Sequence, residues 1–155
     1  HEQLFGAADL AELDLREYLS NLTSHLLQSF GRQDTIAIEL EVEEFSVGVD
    51  EAISYGLLIN ELVTNALKHA FRDGQTGRIN VSILDDPSGR RVLRVADSGQ
   101  GFGEGGLTDQ PDSFGMSLVQ TLAQQLGGQV DFSMESGTEV RVLFPAVRSE
   151  REVGS

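Results

Sequence analysis

Apolar residues recur along this chain with two different periods. From 14 to 30, Leu15, Leu19, Leu22, Leu26 and Phe30 fall on one face at helical spacing. Asp14 stands where an N-cap belongs, Glu17 follows it as an approximate capping box, and Gly31 stops the pattern. Residues 35–42 switch to period two: Ile36, Ile38, Leu40 and Val42 alternate with polar positions, as in a half-buried strand. Residues 49–71 return to the helical period. Their helix is predicted to start at Asp50 and to bury Ile59, Leu62, Val63, Ala66 and Ala70. Residues 77–84 and 91–97 read as strands joined by the turn "DDPSGR" into a hairpin. The stretch "SGQGFGEGGLTDQPDSF" (98–114) is too rich in glycine for a regular element and predicts a mobile loop. A helix is predicted over 115–126, ended by Gly127 and Gly128. "QVDFSM" and "TEVRVLFP" then flank Glu135, Ser136 and Gly137 as a second hairpin.

This order gives a fold class: α+β, a two-layer sandwich with three helices on one face of a mixed, mostly antiparallel sheet. No repeat or linker interrupts 14–145, which reads as one domain. Residues 1–13 read as a linker or the tail of an upstream helix, and 146–155 as a polar, flexible tail. The chain has 155 residues, 39% of them hydrophobic, enough for a real core. It begins with His1 and reads as a piece of a longer chain.

Charge and composition narrow the partners. A formal net charge of −14 argues against nucleic acid, because phosphate contacts need a basic face. The absence of cysteine excludes disulfides and Cys-ligated zinc, and suits a reducing cytoplasm. No apolar run approaches a membrane span, so no membrane contact is expected of this segment.

Three polar constellations stand out, and each has a plainer reading beside it. In "NELVTNALKHAF" (60–71), Glu61, Asn65, Lys68 and His69 share a helix. Asn65 offers an amide oxygen suited to Mg²⁺, Lys68 a positive charge for phosphates, and Glu61 a base or an acceptor for a metal-bound water. Taken alone, a solvated charged face is the better reading, and His69 taken alone is a surface or capping histidine. In "DSGQGF" (97–102), Asp97 at a strand end is an acceptor for an exocyclic amine, and Gly99 and Gly101 let a ligand lie against backbone. An ordinary Asp-Gly turn is the plainer alternative. In "SFGMSLV" (113–119), Gly115 opens a helix directly after the loop, and helix N-termini hold phosphates. A simple glycine N-cap accounts for it equally well.

The pieces come in a fixed order: E-x-x-x-N-x-x-K-H, then D-x-G-x-G, then G-M-S-L-V, then "GTEVRVLFP". Together they resemble the GHKL ATP-binding family, over about residues 14 to 145. This family includes sensor histidine kinases, type II topoisomerases, large heat-shock chaperones and mismatch-repair ATPases. "LLINELVTNALKHAF" and "SLVQTLAQQLGGQVDF" look most like the catalytic domain of bacterial sensor histidine kinases in two-component signalling. The chain is similar to the subgroup related to the HWE kinases. It lacks that group's Trp-x-Glu signature, having no tryptophan, and is placed in a sister group.

The resemblance implies the Bergerat ATP-binding fold and binding of ATP with Mg²⁺. It implies that Asn65 ligates the Mg²⁺, that Lys68 and His69 lie near phosphate or ribose, and that Asp97 bonds the adenine amine. It implies that Gly99, Gly101 and Phe102 shape that pocket, that 102–114 form a short ATP lid, and that Thr138 supports Asp97 through a shared water. Gly115 and the residues after it, Met116, Ser117 and Leu118, would hold phosphates. Glu61, Asn65 and Lys68 would be the catalytic set. The phosphoacceptor histidine would stand on a separate helical segment of the same protein, since none of His1, His25 and His69 sits in such a motif. A response regulator would follow indirectly. The runner-up is an anti-sigma factor with serine kinase activity, which shares the fold. A scaffold without ATP is disfavoured by the intact Asn65, Asp97, Gly99, Gly101 and Gly115. A hydrolytic ATPase using Glu61 completes the alternatives.

Overall fold

A computed structural model describes residues 14–43, 47–99, 113–133 and 137–145, with main chain only for 113–116. In chain order the elements are α1 (Leu15–Ser29), β1 (Ile36–Val42), α2 (Val49–His69), β2 (Gly77–Asp85), β3 (Arg91–Asp97), α3 (Ser113–Gln125), β4 (Gln129–Ser133) and β5 (Glu139–Phe144). The strands form one sheet in the order β1-β2-β3-β5-β4. The β1–β2 pair is parallel, with α2 as its crossover, and the other three pairs are antiparallel. This is the mixed, mostly antiparallel sheet expected, with the last strand inserted between β3 and β4.

Local chemistry explains the element ends. Asp14 caps α1 by accepting from the Glu17 N–H at 3.1 Å. The helix closes in a left-handed turn at Gly31 (φ 65°): the Gly31 N–H donates to Gln28 O and the Arg32 N–H to Leu27 O. α2 begins at Val49, one residue earlier than the expected Asp50. Its N-cap is Gly48, which has no side chain to mark the boundary. α3 begins at Ser113, so the loop expected over 98–114 ends sooner, and Gly115 is the third helical residue rather than the opening one. Residues 100–112 of that loop lie outside the described residues.

The core lies between the helices and one face of the sheet. Ile79, Val81, Ile83, Leu93, Val95, Val140, Val142 and Phe144 from the strands meet Leu58, Ile59, Leu62 and Val63 of α2. α2 touches both α1 and α3 as well as β2 and β3. The helix positions expected to be core (Ile59, Leu62, Val63, Ala66 and Ala70) are all buried. The opposite face of the sheet is polar: Arg94 pairs with Glu139 at 2.7 Å and Arg141 with Asp131 at 3.6 Å.

Candidate functional site

Strand alternation decides where the acidic residue of "DSG" goes. Leu93, Val95 and Asp97 share one face of β3, so Asp97 enters the helix-covered layer with the core residues. It is 8% exposed. Residue 138 has the same parity as Val140, Val142 and Phe144, and Thr138 is likewise buried. The β3–β5 ladder runs on past Ala96 and Glu139 through a bond from the Asp97 N–H to Thr138 O at 3.0 Å, which sets the two side by side.

The Asp97 carboxylate is organised through one oxygen. Its Oδ1 accepts from the Gly99 N–H at 3.0 Å and from the Thr138 N–H at 3.3 Å. Burial raises the pKa of this carboxyl above its ordinary value, and the two backbone donors partly offset that rise. Beside it, Thr138 Oγ1 is buried and has no hydrogen-bond partner among the described residues. A buried hydroxyl in that state is costly unless a water or ligand atom meets it. The strand end is thus a small polar corner inside an apolar layer, suited to a group that both donates and accepts.

Two glycines build its walls. The Gly99 backbone lies against the Ala70 carbonyl at the end of α2, where a Cβ has no space. Gly137 has φ 91°, and a Cβ there would strike the Asp97 carbonyl. Gly99 was expected from the sequence; Gly137 and the Ala70 carbonyl were not. The signal for Gly137 was its place in a hairpin turn just before Thr138. A cavity of about 330 Å³ lies at the same end of the sheet among Arg78, Asn80, Arg94, Ala96 and Glu139, with Asp97 and Thr138 on its border. Most of its lining belongs to the polar face.

The α2 stripe is not a uniformly solvated face. Asn65 is 5% exposed, Glu61 and His69 are half-buried, and Lys68 is exposed. Lys68 and His69 stand in the last turn, where positive charge offsets the helix dipole. The contact between Ala70 and Gly99 joins this end of α2 to the Asp97 turn. On α3, Ser117 is exposed and Leu118 half-buried, while the side chain of Met116 lies outside the described set. The Gly115 N–H is among the first-turn donors that have no intrahelical acceptor. Gly101 and Phe102 lie outside the described residues.

The arrangement fits the groups implied by the sequence. An orphaned Thr138 hydroxyl beside an acceptor carboxylate suits an amino-bearing base and a bridging water. Among the described residues, no three His, Asp or Glu side chains gather into a cation cage. A single buried amide such as Asn65 suits a cation held mainly by phosphates.

The model of histidine kinase-, DNA gyrase B- and HSP90-like ATPases matches residues 50–148. The chain is 30% identical over 146 residues to blue-light-activated histidine kinase 2 of Erythrobacter litoralis, covering 90% of this chain and 41% of that protein. It is 29% identical over 140 residues to the nitrate/nitrite sensor protein NarQ of Escherichia coli, covering 88% and 22%. It thus spans about two fifths or less of the length of these relatives. The solved Erythrobacter litoralis EL346 blue-light activated histidine kinase superposes with a TM-score of 0.77 at 27% identity, over 96% of this chain and 46% of that one. Full-length ShkA in complex with AMPPNP shares the fold, with a TM-score of 0.67 at 21% identity over 88% and 31% of the two chains. Relatives of this kind disfavour the anti-sigma reading.

Proposed function

This chain belongs to the family of histidine kinase-, DNA gyrase B- and HSP90-like ATPases, and we propose that it is the ATP-binding catalytic part of a two-component sensor histidine kinase. The observation that carries this reading is the Asp97–Thr138 pair: a buried acceptor carboxylate beside a buried hydroxyl that lacks a partner among the described residues, on the core-facing row of the sheet.

In this reading Asp97 accepts a hydrogen bond from the adenine amine, with a water shared by Thr138. Gly99 keeps the pocket wall at backbone height; the parts assigned to Gly101 and Phe102, which lie outside the described residues, rest on the sequence resemblance alone. Asn65 is the Mg²⁺ ligand contributed by the protein. Lys68 and His69 face phosphate or ribose, and Glu61 orders water around the cation. The free first-turn amides of α3, which include those of Gly115 and Met116, hold phosphate oxygens, while Ser117 and Leu118, one turn further on, line the approach to them. Bound Mg-ATP supplies the phosphoryl group. The chain positions it and neutralises its charge, which is most of what phosphoryl transfer asks of a protein. The acceptor is a histidine on a helical segment of the same protein, and a response regulator follows. The domain works in the cytoplasm; among the described residues no helix is long and apolar enough to cross a membrane.

Titration calorimetry with a non-hydrolysable ATP analogue, with and without Mg²⁺, tests the reading. Magnesium-dependent binding is expected. Absence of binding at millimolar nucleotide would overturn it.

A further inference from the structure

We propose that Arg32, in the corner between α1 and β1, is a positioning residue for the nucleotide pocket, an inference that rests on the function proposed above. Gly31 closes α1, and the bond from the Arg32 N–H to Leu27 O at 2.9 Å sets Arg32 at the start of the corner. Its side chain is turned inward, and the residue is 9% exposed. One guanidinium nitrogen donates to Arg72 O at 3.1 Å and Gln75 O at 2.8 Å, and Nε donates to Thr35 Oγ1 at 3.1 Å.

Those two carbonyls belong to the turn between α2 and β2. The turn already closes itself: the Gln75 N–H donates to Arg72 O at 3.0 Å, the Arg72 N–H to Gln75 Oε1 at 2.8 Å, and Gly74 takes φ 76°. The guanidinium is therefore not needed to form the turn. What it adds is attachment of the turn to the α1–β1 corner, across some forty residues of sequence. Buried charge-assisted donors in planar geometry make that attachment stiff.

Two short routes lead from the turn to Asp97. Along the first, Ala70, two residues before Arg72, lays its carbonyl against Gly99. Along the second, the Phe71 ring covers Gly77 at the start of β2. The next residue, Arg78, exchanges two bonds with Ser98: its N–H donates to Ser98 Oγ at 2.9 Å, and the Ser98 N–H donates to Arg78 O at 3.0 Å. Ser98 stands between Asp97 and Gly99. Arg32 thus anchors the turn from which both routes to Asp97 start, and the end of the pocket it governs is the adenine end.

The test compares Arg32→Met, which keeps bulk and removes the donors, with Arg32→Lys, which keeps charge and some donors. Affinities are measured at a temperature where circular dichroism shows each protein folded. Arg32→Met should weaken a non-hydrolysable ATP analogue and adenosine alike, by on the order of tenfold, and Arg32→Lys should recover part of that. In the nucleotide-free protein, amide exchange at Gly99 should quicken. A lower Tm with unchanged affinity for both ligands would make Arg32 merely structural and overturn the proposal. If Arg32→Met does not fold, the lysine variant carries the comparison, and unchanged affinity there overturns it equally. If the unaltered protein binds no nucleotide, the proposed function fails; Gly99 exchange then decides for Arg32, and an unchanged rate counts against it.

Discussion

The carbonyl oxygen of Ala70 lies against the α-carbon of Gly99, leaving no room for even a methyl group between the end of α2 and the turn after β3. The obstacle is backbone, which cannot swing aside as a flexible side chain would. Gly99→Ala is therefore expected to cost about 1–3 kcal/mol of stability, the usual range for overpacking. It should also weaken adenosine binding, because the Gly99 N–H that holds Asp97 Oδ1 must move. Urea unfolding and adenosine titration check both effects; native-like values for the two together would mean that the turn is not held by this contact.

Asp97→Asn separates function from stability. The amide keeps an acceptor oxygen for the Gly99 and Thr138 N–H groups but no longer offers a full carboxylate to an amine. Nucleotide affinity should fall by about 1.5–3 kcal/mol. Stability should respond in the opposite sense. The folded pKa of Asp97 is raised, chiefly by burial, so ionisation works against the fold above that pKa. The asparagine variant should thus be at least as stable as the parent at pH 7. Its advantage should shrink as pH falls through the folded pKa and vanish below about pH 4, where the unfolded carboxyl is also protonated. Melting curves at pH 7 and pH 4 read this directly, and a variant less stable at pH 7 would contradict the burial argument.

Much of this architecture is legible in the sequence because it is periodic. The parity that buries Leu93 and Val95 also buries Asp97, and that of Val140, Val142 and Phe144 buries Thr138. What escapes is non-local. Nothing in "TEVRVLFP" announces that β5 pairs with β3 as well as with β4, yet this pairing brings Thr138 to Asp97. The burial of Asn65 is hidden too: the helical repeat sets it in line with Glu61, and only the packing of α2 among α1, α3 and the sheet covers it. The early start of α3 is missed because Ser113 and Phe114 follow a glycine-rich run whose composition masks the boundary. Arg32 carried no signal, since its partners are backbone carbonyls some forty positions away.

Tyr55 offers a control remote from the nucleotide chemistry. Its buried hydroxyl donates to Glu51 Oε2 at 2.6 Å, and Arg91 reaches the same oxygen at 2.9 Å, tying the start of α2 to β3. Burial first, and the Glu51 carboxylate second, raise the phenol pKa well above its ordinary value. The stabilisation is therefore present below the unfolded pKa of about 10 and is lost as pH rises beyond it. Tyr55→Phe should cost about 1 kcal/mol at neutral pH, flatten the alkaline loss of stability, and leave nucleotide affinity unchanged. Urea unfolding at pH 7 and pH 10.5 is the measurement; an equally steep alkaline loss in the variant would assign it to other groups.

Asn65 distinguishes the two ends of the proposed site. It is buried within the polar stripe of α2, and in the proposed reading it belongs to the phosphate end, whereas Asp97, Gly99 and Thr138 belong to the adenine end. Asn65→Ala removes an amide oxygen suited to Mg²⁺. Asn65→Asp keeps the shape but adds a negative charge where phosphates are expected. Both should weaken the Mg-bound ATP analogue by roughly tenfold or more while sparing adenosine, and the alanine variant should also lose most of the magnesium dependence. Circular dichroism separates this from unfolding, since truncating a buried polar side chain carries its own stability cost. Equal loss for adenosine and Mg-ATP would remove Asn65 from the metal role and make it a support for the pocket as a whole.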